Sequence, residues 1–225
     1  GMARSWILFC VFHWALYVWA EPLEEGNEVA IFRHSNPWAN PYRQRKRAFV
    51  VGEHTLTIEQ QWQNRTHGLF ETFVWDASLV LADYFGRRPS LVSGKRVLEL
   101  GCGAGLVSLA AARLGARTVV ATDGAMSALN LTQFNAEANE LSVQTLQLRW
   151  GDPLPPEVSG LHFDLIVASD LFYREDQVNN LLHTIKKLTA VADPAPLLVA
   201  WKTRGLERPF FQKLELEFNE RQVGF

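Results

Sequence analysis

The stretch VLELGCGAGLVSL, residues 97–109, decides the fold of this chain. Val97, Leu98 and Leu100 have the apolar density of a strand that is buried on both faces. Three glycines between residues 101 and 105 end that strand, and a helical pattern begins at Leu106. Glycines let a ligand approach the backbone because no Cβ intervenes, and the helix start offers unpaired N–H groups. The stretch therefore predicts a strand, a cofactor-binding turn and a helix; an ordinary βα turn with glycines for close packing is the alternative.

The spacing of the glycines distinguishes between classes of cofactor. The dinucleotide fingerprint G-x-G-x-x-G places its third glycine where this chain has Leu106, which disfavours a dinucleotide enzyme. An acidic residue, Glu99, precedes the turn and completes the pattern E-x-G-x-G-x-G. This pattern resembles motif I of the class I S-adenosylmethionine methyltransferases. The resemblance implies that the cofactor contacts lie at Glu99, Gly101, Cys102, Gly103 and Gly105.

The composition limits the number of domains and the kinds of partner. A length of 225 residues with 48% hydrophobic residues suits one α/β domain with additions. The formal net charge of −2 provides no overall field for nucleic acid or an acidic membrane, and we predict no nucleic-acid partner. Two cysteines, Cys10 and Cys102, form no disulfide framework, which favours a reducing, cytoplasmic location. We also predict no metal.

The amino-terminal part of the chain has a composition of its own. Residues 6–20 are apolar except for His13, and this run is shorter than the roughly 20 residues of a membrane span. We expect a terminal helix that packs on the domain or on a partner; a targeting or anchoring segment is the alternative, and membrane association would depend on it. Residues 21–44 are rich in Pro, Asn and charge and read as a linker. We therefore divide the chain into residues 1–45 and a methyltransferase domain of residues 46–225.

The rest of the chain alternates between strand and helix patterns. Residues 49–60 predict a β-hairpin around Gly52 and Glu53, and a helical pattern follows over residues 68–85. Five βα units, with helices long enough to cross over, then predict a doubly wound, mostly parallel, Rossmann-like sheet with this hairpin as an amino-terminal extension. The predicted strands cover residues 97–100, 118–122, 143–149, 163–169 and 196–201, and the helices cover residues 106–114, 125–138, 176–191 and 207–218.

Polar and aromatic residues follow the predicted strands, where open α/β sheets bind ligands. Asp123 ends the second strand, and its carboxylate is a candidate acceptor for both hydroxyls of a ribose; capping of the next helix is the alternative. Trp150 follows the third strand, where the adenine of a nucleotide-like cofactor sits, although a core aromatic fits equally. The fourth strand ends at Ser169 and continues directly into Asp170. All of these positions fall on one edge of the predicted sheet.

Four segments together narrow the resemblance: Val74-Trp75-Asp76-Ala77, the glycine turn, Arg149-Trp150-Gly151 and Asp170-Leu171-Phe172-Tyr173. They resemble the family 16, seven-β-strand protein methyltransferases over residues 49–211. The resemblance implies methyl transfer from S-adenosylmethionine to the ε-amine of a lysine in a protein, with S-adenosylhomocysteine as the product. It also implies that Asp170 orients the amine and that Tyr173 shapes the acceptor channel. The cofactor pocket would be lined by Trp75, Asp123, Trp150 and Ser169.

The chain departs from this family at its carboxyl end. The family's sheet ends in an antiparallel pair of strands, but only residues 221–225 remain here to supply one, so the carboxyl-terminal strands look incomplete. Either the chain is cut short, or the apolar amino terminus or another molecule completes the edge. Two other functions stay open: a small-molecule or other N-methyltransferase, and a binding protein that holds the cofactor without activity.

Overall fold

The computed structural model describes residues 7–12, 16–18, 44–60, 72–171, 175–189, 195–202 and 212–213. Its strands are β1 (Ile7–Phe12), β2 (Leu16–Val18), β3 (Lys46–Val51), β4 (His54–Glu59), β5 (Arg96–Leu100), β6 (Thr118–Asp123), β7 (Gln144–Gln147), β8 (Leu165–Ser169) and β9 (Leu197–Lys202). Its α-helices are α1 (Asp76–Arg87), α2 (Leu106–Arg113), α3 (Met126–Ala138), α4 (Pro156–Ser159) and α5 (Val178–Thr189), with 3-10 turns at Pro89–Leu91 and Glu175–Gln177. None of the described helices is both long enough and apolar enough to cross a bilayer.

The main sheet is doubly wound, as the sequence predicts. Its strand order is β2-β1-β9-β8-β5-β6-β7, and the four pairings among β5 to β9 are all parallel. Within this parallel part the chain runs from β5 outward through β6 and β7, and then returns to β8 and β9 on the other side of β5. This reversal opens a crevice at the carboxyl ends of β5 and β8, where α/β sheets bind ligands.

The amino-terminal run forms strands, so the expected terminal helix is wrong. β1 pairs in parallel with β9, with Ile7 opposite Leu197, and β2 pairs with β1 in antiparallel orientation. An apolar run of this length cannot be assigned to helix or strand by periodicity alone, and the open N–H and C=O groups of β9 favour a strand partner. The structure thus confirms the amino terminus as the element that completes this edge. The linker lies outside the described residues except for Gln44, and so do residues 221–225.

Two other expected elements differ from the structure. Of the residues 68–85 expected to be helical, 68–71 lie outside the described residues, and α1 begins at Asp76 because Trp75 is extended at its N-cap (φ −82°, ψ 157°). The crossover from β7 to β8 contains only α4, a helix of 4 residues, so the expectation of a long helix in every crossover is wrong there. The helix expected over residues 207–218 lies outside the described part of the chain except for two helical residues, 212 and 213.

Two apolar layers enclose the sheet. Leu98 and Leu100 of β5 pack on the face that α5 covers, together with Leu181 and Ile185. Val97 packs on the opposite face with residues of α1, α2, α3 and the β3–β4 hairpin. The predicted hairpin is confirmed, with its turn at residues 52–53. It packs beside α2 and α3, the two helices that flank the glycine turn.

Candidate cofactor and acceptor site

The glycine turn joins β5 to α2 and has a backbone that favours glycine. Gly101, Gly103 and Gly105 have φ angles of +69°, +56° and +88°, in the left-handed region that other residues rarely adopt. The N–H of Cys102 donates to the carbonyl of Thr122 at 2.9 Å, which ties the turn to β6. The turn is therefore held at the switch point of the sheet by its own backbone.

Three loop segments meet at the first glycine of the turn. A Cβ on Gly101 would overlap Cδ2 of Leu171 and would lie 3.7 Å from Cζ2 of Trp150. Leu171 follows β8, and Trp150 follows β7. The structure therefore brings the glycine turn together with the segments after β7 and β8, as the sequence predicts for one sheet edge.

We expect alanine at Gly105 to destabilise the chain more than alanine at Gly94. Both glycines have positive φ, +88° and +72°, but a Cβ on Gly105 would lie 2.8 Å from Thr132 side-chain atoms, whereas Gly94 has nothing within 4 Å. The φ penalty alone is about 1 kcal/mol, and the added overlap costs about 1–3 kcal/mol more. Because about 1 kcal/mol shifts Tm by roughly 2–4 °C in a domain of this size, thermal unfolding separates the two variants. Equal losses of Tm would contradict the packing argument.

Asp123 ends β6 and faces the glycine turn. Its Oδ2 accepts from the N–H of Gly103 at 3.1 Å, and its Oδ1 accepts from the N–H of Ala125 at 2.9 Å. The N-cap of α3 is Ala125, and that position has no side-chain cap hydrogen bond, so the alternative of Asp123 as the helix cap is wrong. Asp123 is thus a half-buried carboxylate that links the turn to the start of α3.

Glu99 lies beneath the turn with 1% of its surface exposed. Its carboxyl group accepts a hydrogen bond from the hydroxyl of Ser108 on α2. The pKa of Glu99 is raised to about 8, chiefly by burial and to a smaller extent by the charge of Asp123, against the lowering effect of the Ser108 hydrogen bonds. At neutral pH Glu99 is therefore a protonated acid that joins β5 to α2.

We expect this protonated acid to make stability depend on pH. The folded chain keeps the proton up to about pH 8, whereas the unfolded chain releases it near 4.5. The folded state binds more protons between these values, so the free energy of unfolding falls as pH rises through this window, by at most about 1.4 kcal/mol per pH unit from this group. Glu99→Gln carries no titratable proton. It should therefore reduce the dependence of the free energy of unfolding on pH, as measured by urea unfolding from acidic to mildly alkaline pH. An unchanged slope would contradict the assignment.

Asp170 follows β8 directly, at the carboxyl ends of the parallel strands, and forms hydrogen bonds with β9. It is 7% exposed, and its φ of +56° is one of two positive values among the described residues other than glycine. Its N–H donates to the carbonyl of Ala200 at 2.8 Å, and its Oδ1 accepts from the N–H of Lys202 at 3.3 Å. Aspartate is among the residues that tolerate this backbone region, which is populated at functional sites. These contacts hold the carboxylate at the strand end.

The first turn of α1 approaches the carboxyl ends of β8 and β9. Oγ of Ser78 lies 3.0 Å from Oγ of Ser169, and Nζ of Lys202 pairs with Oδ2 of Asp76 at 2.8 Å. The first turn of α1 thus contacts the ends of β8 and β9. Tyr173 lies outside the described residues.

The remaining predicted site residues are two tryptophans and a cysteine. Trp75 is half-buried and meets Phe73 edge to face, with ring centroids 6.1 Å apart. Trp150 is also half-buried, against the α5 layer. Burial raises the pKa of the Cys102 thiol well above its ordinary value, so this cysteine is not a thiolate at neutral pH. No group of three or more His, Cys, Asp or Glu side chains within the described residues is placed to hold a metal ion.

Sequence reasoning missed two residues of α3 that contact the turn. The hydroxyl of Thr132 donates to the carbonyl of Gly103 at 3.0 Å, and Nδ2 of Asn135 donates to the carbonyl of Ala104 at 2.8 Å. A signal was present: Thr132 and Asn135 are polar residues at helical spacing on a face that is otherwise apolar.

Comparison with known proteins identifies the family. A model of the family described as "Lysine methyltransferase" matches residues 51–217. The chain belongs to this lysine methyltransferase family. This methyltransferase is 32% identical over 210 residues to the protein N-lysine methyltransferase METTL21A of Mus musculus. The alignment covers 91% of this chain and 89% of that protein. It is 35% identical over 162 residues to the protein N-terminal and lysine N-methyltransferase EFM7 of Candida glabrata, over 68% of this chain and 61% of the relative.

A solved structure supports the fold of this methyltransferase. The ribosomal protein L11 methylase of Lactobacillus delbrueckii subsp. bulgaricus superposes with a TM-score of 0.51 at 19% identity, over 76% of this chain and 88% of that one. The cofactor of this lysine methyltransferase is S-adenosylmethionine. The residues at the crevice fit that molecule, because the carboxylate of Asp123, an acceptor suited to ribose hydroxyls, lies beside the glycine turn.

Proposed function

We propose that this lysine methyltransferase acts on a lysine side chain of a protein substrate, with Asp170 at the acceptor nitrogen. The observation that carries the proposal is the contact between Leu171 and Gly101, because it sets the residue next to Asp170 against the cofactor turn. A transfer reaction needs its two reactants adjacent, and the carboxyl ends of β5 and β8 offer a position for each.

When bound, S-adenosylmethionine supplies an electrophilic methyl group on a sulfonium. The acceptor must present a neutral amine, and a lysine is protonated at neutral pH, so the site has to favour the neutral form. In our proposal the carboxylate of Asp170 accepts a hydrogen bond from the amine and directs its lone pair toward the methyl group. The burial of Asp170 removes competing water from this contact. Tyr173, by its place in the motif, shapes the channel.

The cofactor contacts follow from the same placement. Asp123 accepts the ribose hydroxyls, and the half-buried ring of Trp150 lies against the adenine. The backbone of the glycine turn, which lies beside Asp123, contacts the rest of the molecule in this placement. The other proposed cofactor residues are Trp75, Glu99, Cys102 and Ser169; Glu99, which is buried beneath the turn, contributes by holding α2.

Two experiments test the proposal. Calorimetry with S-adenosylmethionine should show binding by the folded protein, and absence of binding would defeat the cofactor placement. Incubation of the enzyme with radiolabelled S-adenosylmethionine and a cell lysate should then transfer label to the lysines of a protein band. Label in the small-molecule fraction alone would favour the alternative of a small-molecule N-methyltransferase. Binding without label in either fraction would favour a binding protein without activity.

We also propose a cytoplasmic location and a protein rather than nucleic-acid partner. The location is supported by Cys102, a free and buried cysteine inside the cofactor turn, which suits a reducing compartment. The choice of partner is supported by the net charge of −2, which gives no overall attraction to phosphates. Imaging of a tagged chain tests the location.

A further inference from the structure

Asn135 of α3 is a buried side chain whose carboxamide makes three hydrogen bonds. Its Oδ1 accepts from the N–H of Glu59 at 2.8 Å, and its Nδ2 donates to the carbonyl of Glu59 at 2.9 Å. The same Nδ2 donates to the carbonyl of Ala104 in the glycine turn at 2.8 Å. Both hydrogens of the amide are thus used, one on the hairpin and one on the turn. The side chain joins two parts of the fold that are far apart in sequence.

A second asparagine, Asn139, binds the edge of the hairpin in the same way as Asn135. Asn139 accepts from the N–H of Thr57 at 2.9 Å and donates to the carbonyl of Thr57 at 2.8 Å. A side-chain amide presents one donor and one acceptor, as a backbone residue of a neighbouring strand does, so α3 takes the place of a strand partner along β4. The two asparagines differ in their third hydrogen bond: that of Asn139 goes to the carbonyl of Asn135 within α3, at 2.7 Å.

The same helix face determines which way the turn carbonyls point. Thr132 donates to the carbonyl of Gly103, and Asn135 donates to the next carbonyl, that of Ala104. Peptide groups are planar and trans, so the N–H of each of these two groups points away from α3. Two neighbouring donors on α3 therefore fix the orientation of the part of the turn that leads into α2.

We propose that Asn135 is a positioning residue for the cofactor: it holds the glycine turn through Ala104 and couples that turn to the docking of the β3–β4 hairpin. The inference rests on the proposed placement of S-adenosylmethionine at the turn. Asn139 also makes two hydrogen bonds to the hairpin, but none to the turn, so it has no such role. Asn135 in α3 and Asn139 at the C-cap of the same helix thus form a matched pair.

The test compares Asn135→Ala with Asn139→Ala in the full chain. Both variants lose two hydrogen bonds to the hairpin, so both should lower Tm. Asn135→Ala should also weaken S-adenosylmethionine binding in calorimetry by about tenfold, the equivalent of one buried hydrogen bond, while Asn139→Ala should stay within about twofold. The KM for S-adenosylmethionine should rise in the first variant, with the KM for the acceptor unchanged. Equal changes in affinity in the two variants would overturn the inference, because they would reflect a structural role alone.

A measurement on the wild-type protein keeps the inference testable if Asn135→Ala does not fold. In nitrogen-15 NMR spectra, addition of S-adenosylmethionine should shift the side-chain amide signals of Asn135 and leave those of Asn139 nearly in place. Equal shifts, or none in either residue while the cofactor binds, would overturn the coupling. Failure of the folded wild type to bind at all would instead overturn the proposed cofactor placement, and with it this inference.

Discussion

Replacement of Asp170 by asparagine is expected to lower the turnover of methyl transfer by about 100-fold or more, with the affinity for S-adenosylmethionine within about threefold of wild type. Asparagine is the informative substitution because the position has a φ of +56°, which asparagine tolerates and alanine does not. An amide oxygen can still accept from the N–H of Lys202, as Oδ1 does at 3.3 Å. What is lost is the charge that orients the incoming amine. The change should therefore appear in kcat.

The matched control for Asp170→Asn is Asp83→Asn. Asp83 is paired with Arg87 on α1 at 2.8 Å, in a partly exposed contact that contributes little to stability. Its removal should leave turnover and cofactor affinity unchanged. Single-turnover assays with saturating S-adenosylmethionine and a labelled acceptor separate the chemical step from binding. Wild-type turnover in Asp170→Asn would remove Asp170 from the acceptor site, and a loss of cofactor affinity equal to the loss of turnover would assign it to the cofactor pocket instead.

The part of the site that could be predicted from sequence is the part that local spacing encodes. The glycine turn depends on residues within one strand–turn–helix unit, and the strand ends that carry Asp123, Trp150 and Asp170 follow from the parallel order of the sheet. The α/β class followed from the same alternation of strand and helix. These features need no knowledge of which distant residues meet.

The parts that could not be predicted depend on contacts between distant segments. Asn135 and Glu59 are 76 positions apart in the chain, and only the packing of α3 on the hairpin makes their pairing visible. The helix expected at the amino terminus was wrong for a similar reason, since the open edge of β9 decides that residues 7–12 form a strand. A run of apolar residues encodes burial, but its partner decides between helix and strand.

Replacement of Asp123 by asparagine is expected to weaken S-adenosylmethionine binding by about 100-fold. A carboxylate oxygen can accept more than one hydrogen bond. In our proposal each oxygen of Asp123 accepts one ribose hydroxyl in addition to one backbone N–H, from Gly103 and from Ala125. Asparagine presents an oxygen to one of these N–H groups and an NH₂ group to the other, so in either orientation one backbone donor faces another donor. The loss of two hydrogen bonds to a charged acceptor, about 1.5 kcal/mol each, corresponds to about 100-fold in Kd.

Analogues of S-adenosylhomocysteine that lack one ribose hydroxyl make this prediction specific to the ribose. The wild type should lose affinity for each deoxy analogue, whereas Asp123→Asn should bind the analogues about as well as the parent compound, since the contact is already gone. Asp164→Asn is the control, because Asp164 also accepts a backbone N–H, from Arg96 at 2.8 Å, but at the opposite end of β8. Its cofactor affinity should match the wild type. An equal penalty for the deoxy analogues in wild type and Asp123→Asn would show that the ribose hydroxyls bind elsewhere, and the glycine turn would then hold the cofactor without this carboxylate.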